Sequence, residues 1–182
     1  MDRRQRKTRE AIFSAFTKLL SDKKFAQITV NDIIEEADIG RATFYAHFET
    51  KDFLLKELCE ELFYHLFDSM NDSHSHRHIF SCDAPDSVYL HLLMHLSKND
   101  NHILDLLSCT NNELFLSYFK ENLKKLTESQ LSLFEDRKNP KLPHDFWVNH
   151  ISSTFVETIR WWIQGGMKEP PQTIAEYFYM AV

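Results

Sequence analysis

The stretch 29–51, TVNDIIEEADIGRATFYAHFETK, restricts this chain more than any other. Thr29 is an N-cap candidate, because its hydroxyl can accept from a free backbone N–H of a first helical turn. Val30, Ile33, Ile34 and Ala37 recur at i, i+3, i+4 and i+7, the spacing of one buried helix face. Asp38-Ile39-Gly40 breaks that spacing, and Gly40 tolerates a bend that other residues resist. A second short helix is predicted over 41–48. Phe44 and Phe48 share its inner face, which leaves Arg41, Thr43, Tyr45 and His47 pointing outward. Two short helices with a tight turn and that outward set suit a DNA major groove.

Composition narrows the rest. Glycine occurs only as Gly40, Gly165 and Gly166, and long β-branched apolar runs are missing. Both facts favour an all-α fold. They also leave no glycine-rich loop to cradle a phosphate. A chain of 182 residues is one domain or two small ones, and buries roughly 70% of its unfolded surface without a disulfide or metal. Cys59, Cys82 and Cys109 are far apart and form no CxxC pair, as expected of a reduced, cytoplasmic protein. The N-terminus is basic with no apolar core behind it, so no signal peptide is expected. No apolar run nears about 20 residues, so no membrane span is expected either.

A net charge of −6 looks wrong for a DNA binder, but its distribution is uneven. Residues 1–51 hold ten Lys and Arg against eight Asp and Glu, whereas 52–182 hold eleven against nineteen. A locally basic face on an acidic body is the expected footprint, since only the docked face meets phosphates. Arg3, Arg4, Arg6, Lys7 and Arg9 form a basic lead-in, either a mobile arm or the start of the first helix. Phosphate contact is the favoured reading, with Arg4 and Lys7 foremost; a solvated terminus is the plain alternative.

The first helix is predicted over 8–21, with Ile12, Phe13, Phe16, Leu19 and Leu20 as its buried stripe. Thr50 caps a long helix carrying two apolar rows, one from Leu54 to Met70 and one from Leu55 to Phe67. Residues 71–86 are polar and irregular. Further helices are predicted from Pro85 or Asp86 to 97, over 100–108, from Asn111-Asn112 to 136, over 144–164, and from Pro170-Pro171 to 181. The 111–136 helix should turn Leu114, Phe115, Tyr118, Phe119, Leu123, Leu126, Leu131 and Phe134 inward. Gly165-Gly166 reads as a C-cap, and Pro171 as a helix start. The count comes to about nine helices.

These residues resemble the TetR/AcrR family of bacterial transcriptional regulators. The likeness runs from about Thr8 to Leu55, on Thr29-Val30-Asn31-Asp32-Ile33, Thr43-Phe44-Tyr45-Ala46-His47-Phe48 and Lys51. Where the family has glycine before the turn, this chain has Asp38. The run from Trp161 to Met167 resembles a C-terminal subtype common in Gram-positive members. The resemblance implies a three-helix DNA-binding domain over 1–50 and a helical ligand-binding and dimerisation bundle over 51–182. It implies a repressor that reads a palindromic double-stranded operator as a homodimer. Its DNA-binding set would be Arg4, Lys7, Thr29, Arg41, Ala42, Thr43, Tyr45, His47 and Lys51. Thr29 would bring its hydroxyl, or the helix start, to a phosphate. Lys51 would point at the backbone, where Tyr45 and His47 also make contact.

The family also implies a four-helix dimer interface from the last two helices, with Phe155, Ile159, Trp162 and Ile163 as candidates; intrachain core is the equal alternative. A small hydrophobic effector would enter a pocket among Phe63, Phe67, Met94, Phe115, Tyr118, Phe119, Trp147 and Trp161. Each of those alone reads more simply as core. His74, His76 and His78 invite a metal-responsive version of the regulator, although an exposed His-rich loop is plainer. His91 and His95 lie one turn apart, but without the HExxH glutamate they read as two histidines on a half-buried face. No metal or cofactor is therefore assigned. No nucleophile sits beside a base and no carboxylate pair has a catalytic frame, so no enzyme is expected. A helical protein-interaction module that never touches DNA remains the other class.

Overall fold

The structure is a computed structural model that describes residues 3–70, 87–98, 104, 107 and 113–182, without the side chains of 67–70. The described residues are helical with no strand. The helices are α1 (Arg3–Asp22), α2 (Val30–Glu36), α3 (Arg41–His47), α4 (Lys51–Met70), α5 (Val88–Lys98), α6 (Glu113–Ser129), α7 (His144–Gln164) and α8 (Pro171–Ala181). Leu104 and Leu107 are also helical and buried, inside the stretch where a short helix is expected. The predicted loop with His74, His76 and His78, Cys82, Cys109 and the helix start at Pro85 or Asp86 lie outside the described residues. No described helix is long and apolar enough to cross a membrane.

The N-terminal head forms as its sequence dictates. The Thr29 hydroxyl accepts from the Asp32 N–H at 3.1 Å, and the Asp32 carboxylate accepts from the Thr29 N–H at 2.7 Å, a reciprocal capping box. The cap hydrogen bonds and Lys23 at 2.9 Å hold the Asp32 carboxyl well below the usual carboxylate range. Ile12, Phe13, Phe16, Ile33, Phe44 and Phe48 close a small core between α1, α2 and α3. Thr50 caps α4 by accepting from the Phe53 N–H at 3.0 Å.

The turn between α2 and α3 corrects one expectation. Gly40 has ordinary extended geometry, φ −79° and ψ 152°. The left-handed residue is Asp38, at φ 50°. Its N–H reaches the Glu35 carbonyl at 3.3 Å and the Ile39 N–H reaches the Ile34 carbonyl at 3.1 Å, which closes a Schellman ending. Gly166, at φ 76°, fills the same place behind α7, with Met167 N–H on the Trp162 carbonyl at 2.9 Å. Aspartate in this conformation costs more than glycine. Asp38→Gly should therefore stabilise the head by about 0.5–1 kcal/mol and raise Tm by roughly 2–3 °C. Thermal unfolding followed by circular dichroism checks this; a lower Tm contradicts it.

In the body, α4 packs on α5 and α6, α6 on α7, and α8 on α5 and α7. Phe115, Phe119, Leu123 and Leu126 face inward as expected, but Leu114 is exposed. Helix α6 ends at Ser129, earlier than predicted, and the chain continues as a tight 3-10 turn over Leu131–Arg137. The tighter winding brings Leu131 and Phe134 onto one side and seats Phe134 in the core. There Phe134 meets Tyr89 of α5 and Phe178 of α8. The Tyr89 hydroxyl donates to Thr127 Oγ1 at 3.1 Å. Thr127 and Ser152 are 3.1 Å apart, and Ser152 donates to the Val148 carbonyl at 2.8 Å. A run of buried hydroxyls is satisfied end to end, as burial requires. Cys59 is a buried thiol, its pKa pushed up by burial.

Candidate nucleic-acid interface

Phe44 and Phe48 decide what α3 can present. Both are buried, with their rings 6.0 Å apart. That anchoring leaves Arg41, Ala42, Thr43 and Tyr45 exposed on the opposite side, as the spacing predicts. Tyr45 stands edge-on to Phe44 at 5.5 Å, so its ring is braced while its hydroxyl stays in solvent. His47 is half-buried beside Phe48. The Arg41 guanidinium donates to Asn31 Oδ1 of α2, a partner that periodicity does not reveal. A guanidinium has five N–H donors, so one bond orients it and the others still face outward.

Two residues of the expected set have intrachain work. The Thr29 hydroxyl is occupied by both halves of its contact with Asp32, since it also donates to Oδ2 at 2.7 Å. Lys51 Nζ donates to the carbonyls of Phe25 at 3.0 Å and Ile28 at 2.8 Å, and lies 4.5 Å from the Phe25 ring centre. It clips the 3-10 turn Phe25–Gln27 onto the start of α4, with one of its three N–H groups left over.

The basic lead-in is helical from Arg3, which decides between arm and helix. Arg3, Arg4 and Lys7 are exposed. Arg6 pairs with Glu10 at 3.5 Å. Arg9 faces inward instead. Its guanidinium pairs with Glu57 and with Glu61 (the latter at 3.4 Å) and sits 4.9 and 5.0 Å from the Phe13 and Phe48 rings.

In the body, Phe63, Phe115, Phe119 and Trp147 are buried, and Met94 and Tyr118 are half-buried. Phe63 and Phe119 pack edge to face at 5.2 Å. The Phe67 side chain lies outside the described ones. Trp161 departs from this group, because it is 53% exposed on the outer face of α7. Phe155, Ile159 and Trp162 are buried inside the chain. Ile163 is half-buried against the same core. The exposed large apolar groups on these helices are Phe146 at 53% near the start of α7, Trp161 toward its end, Tyr177 at 44% and Met180 at 72%. Trp161 and Tyr177 meet edge to face at 6.2 Å over a shallow groove floored by Ser153, Thr154 and Ala181. The signal for them was available: Trp161 and Trp162 are adjacent, so only one of the pair can face inward.

Known proteins match the chain in both halves. Residues 12–58 match the family model described as bacterial regulatory proteins, tetR family, and residues 83–182 match one described as a transcriptional regulator C-terminal region. The crystal structure of a TetR transcriptional regulator from Streptococcus agalactiae 2603V is 34% identical, with TM-score 0.77, covering all of this chain and 96% of that one. FadR of Bacillus subtilis, solved in complex with stearoyl-CoA, is 15% identical with TM-score 0.58 over 93% of this chain and 95% of that one, a likeness of fold alone. The HTH-type transcriptional regulator YxbF of Bacillus subtilis (strain 168) is 26% identical over 98% of this chain. The chain spans 45% of that protein, and less than half the length of the curated relatives it matches.

Proposed function

We propose that this chain, which belongs to the TetR family of bacterial regulatory proteins, is a DNA-binding transcriptional regulator that reads a palindromic operator as a homodimer. The carrying observation is the α3 face. Its inner aromatics are locked in the head while Arg41, Thr43 and Tyr45 stand in solvent. Arg41 suits a guanine edge or a phosphate, and Thr43 a base edge or thymine methyl. Arg4 and Lys7 follow the duplex backbone, where most protein–DNA hydrogen bonds fall. Residues 1–50 carry this work, and 51–182 carry pairing and response.

The pairing surface is the exposed side of α7 and α8. Trp161, Tyr177 and Met180 supply apolar area, and the small residues between them let helices approach closely. Two copies of the pair make a four-helix contact that sets the recognition helices about 34–36 Å apart, one DNA turn. A small hydrophobic effector acts through the aromatic body around Phe63, Phe119 and Met94; the support is that FadR of Bacillus subtilis, alike in fold, is solved in complex with stearoyl-CoA. It represses or releases by favouring one spacing of the dimer over another.

The test is selection of duplexes from a random pool, with the mass in solution measured alongside. Enrichment of an inverted repeat by a dimer is expected, and Trp161→Asp should give a folded monomer that no longer enriches it. A monomeric wild-type chain, or one that ignores all duplexes at low ionic strength, overturns the reading.

A further inference from the structure

We infer that His65, His91 and His95 form a binding site for one divalent transition-metal ion of the zinc class, between α4 and α5. His65 comes from α4, while His91 and His95 come from successive turns of α5. One ring nitrogen from each lies within 4.8 Å of the other two. The Nε2 atoms of His91 and His95 are 3.2 Å apart. Metal–nitrogen bonds of about 2.0–2.1 Å at tetrahedral angles place ligand nitrogens about 3.4 Å from one another. The α5 pair is therefore already at chelating distance. The His65 ring, centred 5.1 and 4.8 Å from the other two, closes the third corner with a small side-chain rotation.

The chemistry of the set agrees with its geometry. His65 and His91 are buried and His95 half-buried. Burial, followed by the neighbouring imidazoles, holds His91 down to about 4 and His95 down to about 3, the neighbouring Lys98 adding to both. Both rings are thus neutral at physiological pH, the form that ligates metal. An all-imidazole set favours zinc, cobalt, nickel or copper over magnesium or calcium. Among the described residues the site offers three ligands, and a tetrahedral ion takes one more. The ion would replace a nitrogen-to-nitrogen contact on α5 with bonds that also tie α5 to α4. His65 was not singled out in the sequence, although its place one turn beyond Leu58 and Leu62 on the buried side of α4 was readable.

The inference is independent of DNA binding and is tested on the full chain after chelator treatment. Cobalt(II) is titrated while its visible absorption is followed, and zinc is titrated by calorimetry. One equivalent bound at micromolar metal is expected, with intense tetrahedral cobalt bands that zinc abolishes. His95→Gln, at the half-exposed corner, and His91→Gln should each weaken binding by more than the roughly 10- to 100-fold that loss of a supporting partner costs. The triple change His74→Ala, His76→Ala and His78→Ala should leave it intact. Circular dichroism confirms that the variants fold, and His95→Gln decides alone if His91→Gln does not. Absence of binding at 100-fold excess metal overturns the site. So does binding that survives His95→Gln or disappears when His74, His76 and His78 are changed.

Discussion

Raising salt from 50 to 200 mM should weaken operator binding by about 10³- to 10⁵-fold. Each head presents Arg3, Arg4, Lys7 and Arg41 as exposed cations. Two heads together neutralise about six to eight phosphates, and each neutralised phosphate releases counterions. Fluorescence anisotropy across that range gives the slope of log affinity against log salt. Lys7→Ala should flatten the slope by about two for the dimer, one per protomer, with the same loss on every sequence. Lys51→Met should behave differently. Its ammonium holds the Phe25 and Ile28 carbonyls, so its loss should lower stability by about 1–3 kcal/mol while changing the slope less than Lys7→Ala does. A flat salt response, or a larger slope change from Lys51→Met, contradicts this division of labour.

Phe178→Ala should destabilise the body by about 3–5 kcal/mol. Phe178 is fully buried, and its ring lies 4.8 Å from those of both Tyr89 and Phe155 and 6.0 Å from that of Phe134. It is the point where α5, α7, α8 and the 3-10 turn converge. Truncation removes a phenyl ring from these three neighbours at once, and aromatic pairs contribute about 0.5–1.5 kcal/mol beyond their buried area. Tm should fall by roughly 8–15 °C in thermal unfolding. Phe178→Leu keeps most of the volume and should cost less than about 1.5 kcal/mol. Equal losses for the two variants would mean that this cluster is not close-packed.

The parts legible in the sequence are those fixed by local chemistry. Thr29 and Asp32 announce the start of α2 through a capping box. Pro143 before α7 and Gly165-Gly166 after it bound that helix, and the observed span is 144–164 as predicted. The inward pairing of Phe44 and Phe48 follows from helical spacing alone. What was not legible depends on distant partners. Gly40 drew the bend because glycine tolerates it, yet Asp38 takes the left-handed step that closes α2. Helix α6 ends early because Phe134 must turn toward Tyr89 and Phe178, which lie far along the chain. Lys51 and Thr29 read as DNA ligands in the motif, and the carbonyls and carboxylate that they also bind are visible only in three dimensions. Spacing can pair His91 with His95 and never supplies His65, which comes from another helix.

The grip on Arg9 redraws where the head ends. One guanidinium of α1 is clasped by two carboxylates a turn apart on α4 and rests on both the Phe13 and Phe48 rings. That clasp ties the first half of α4 to the helices before it. The piece that meets a duplex is thus a four-membered block whose last member is also a strut of the bundle. On the proposed function, a tilt at the far end of that strut would reach the groove as a swing of the entire block, because the Arg9 clasp ties the two sides of residue 50 together.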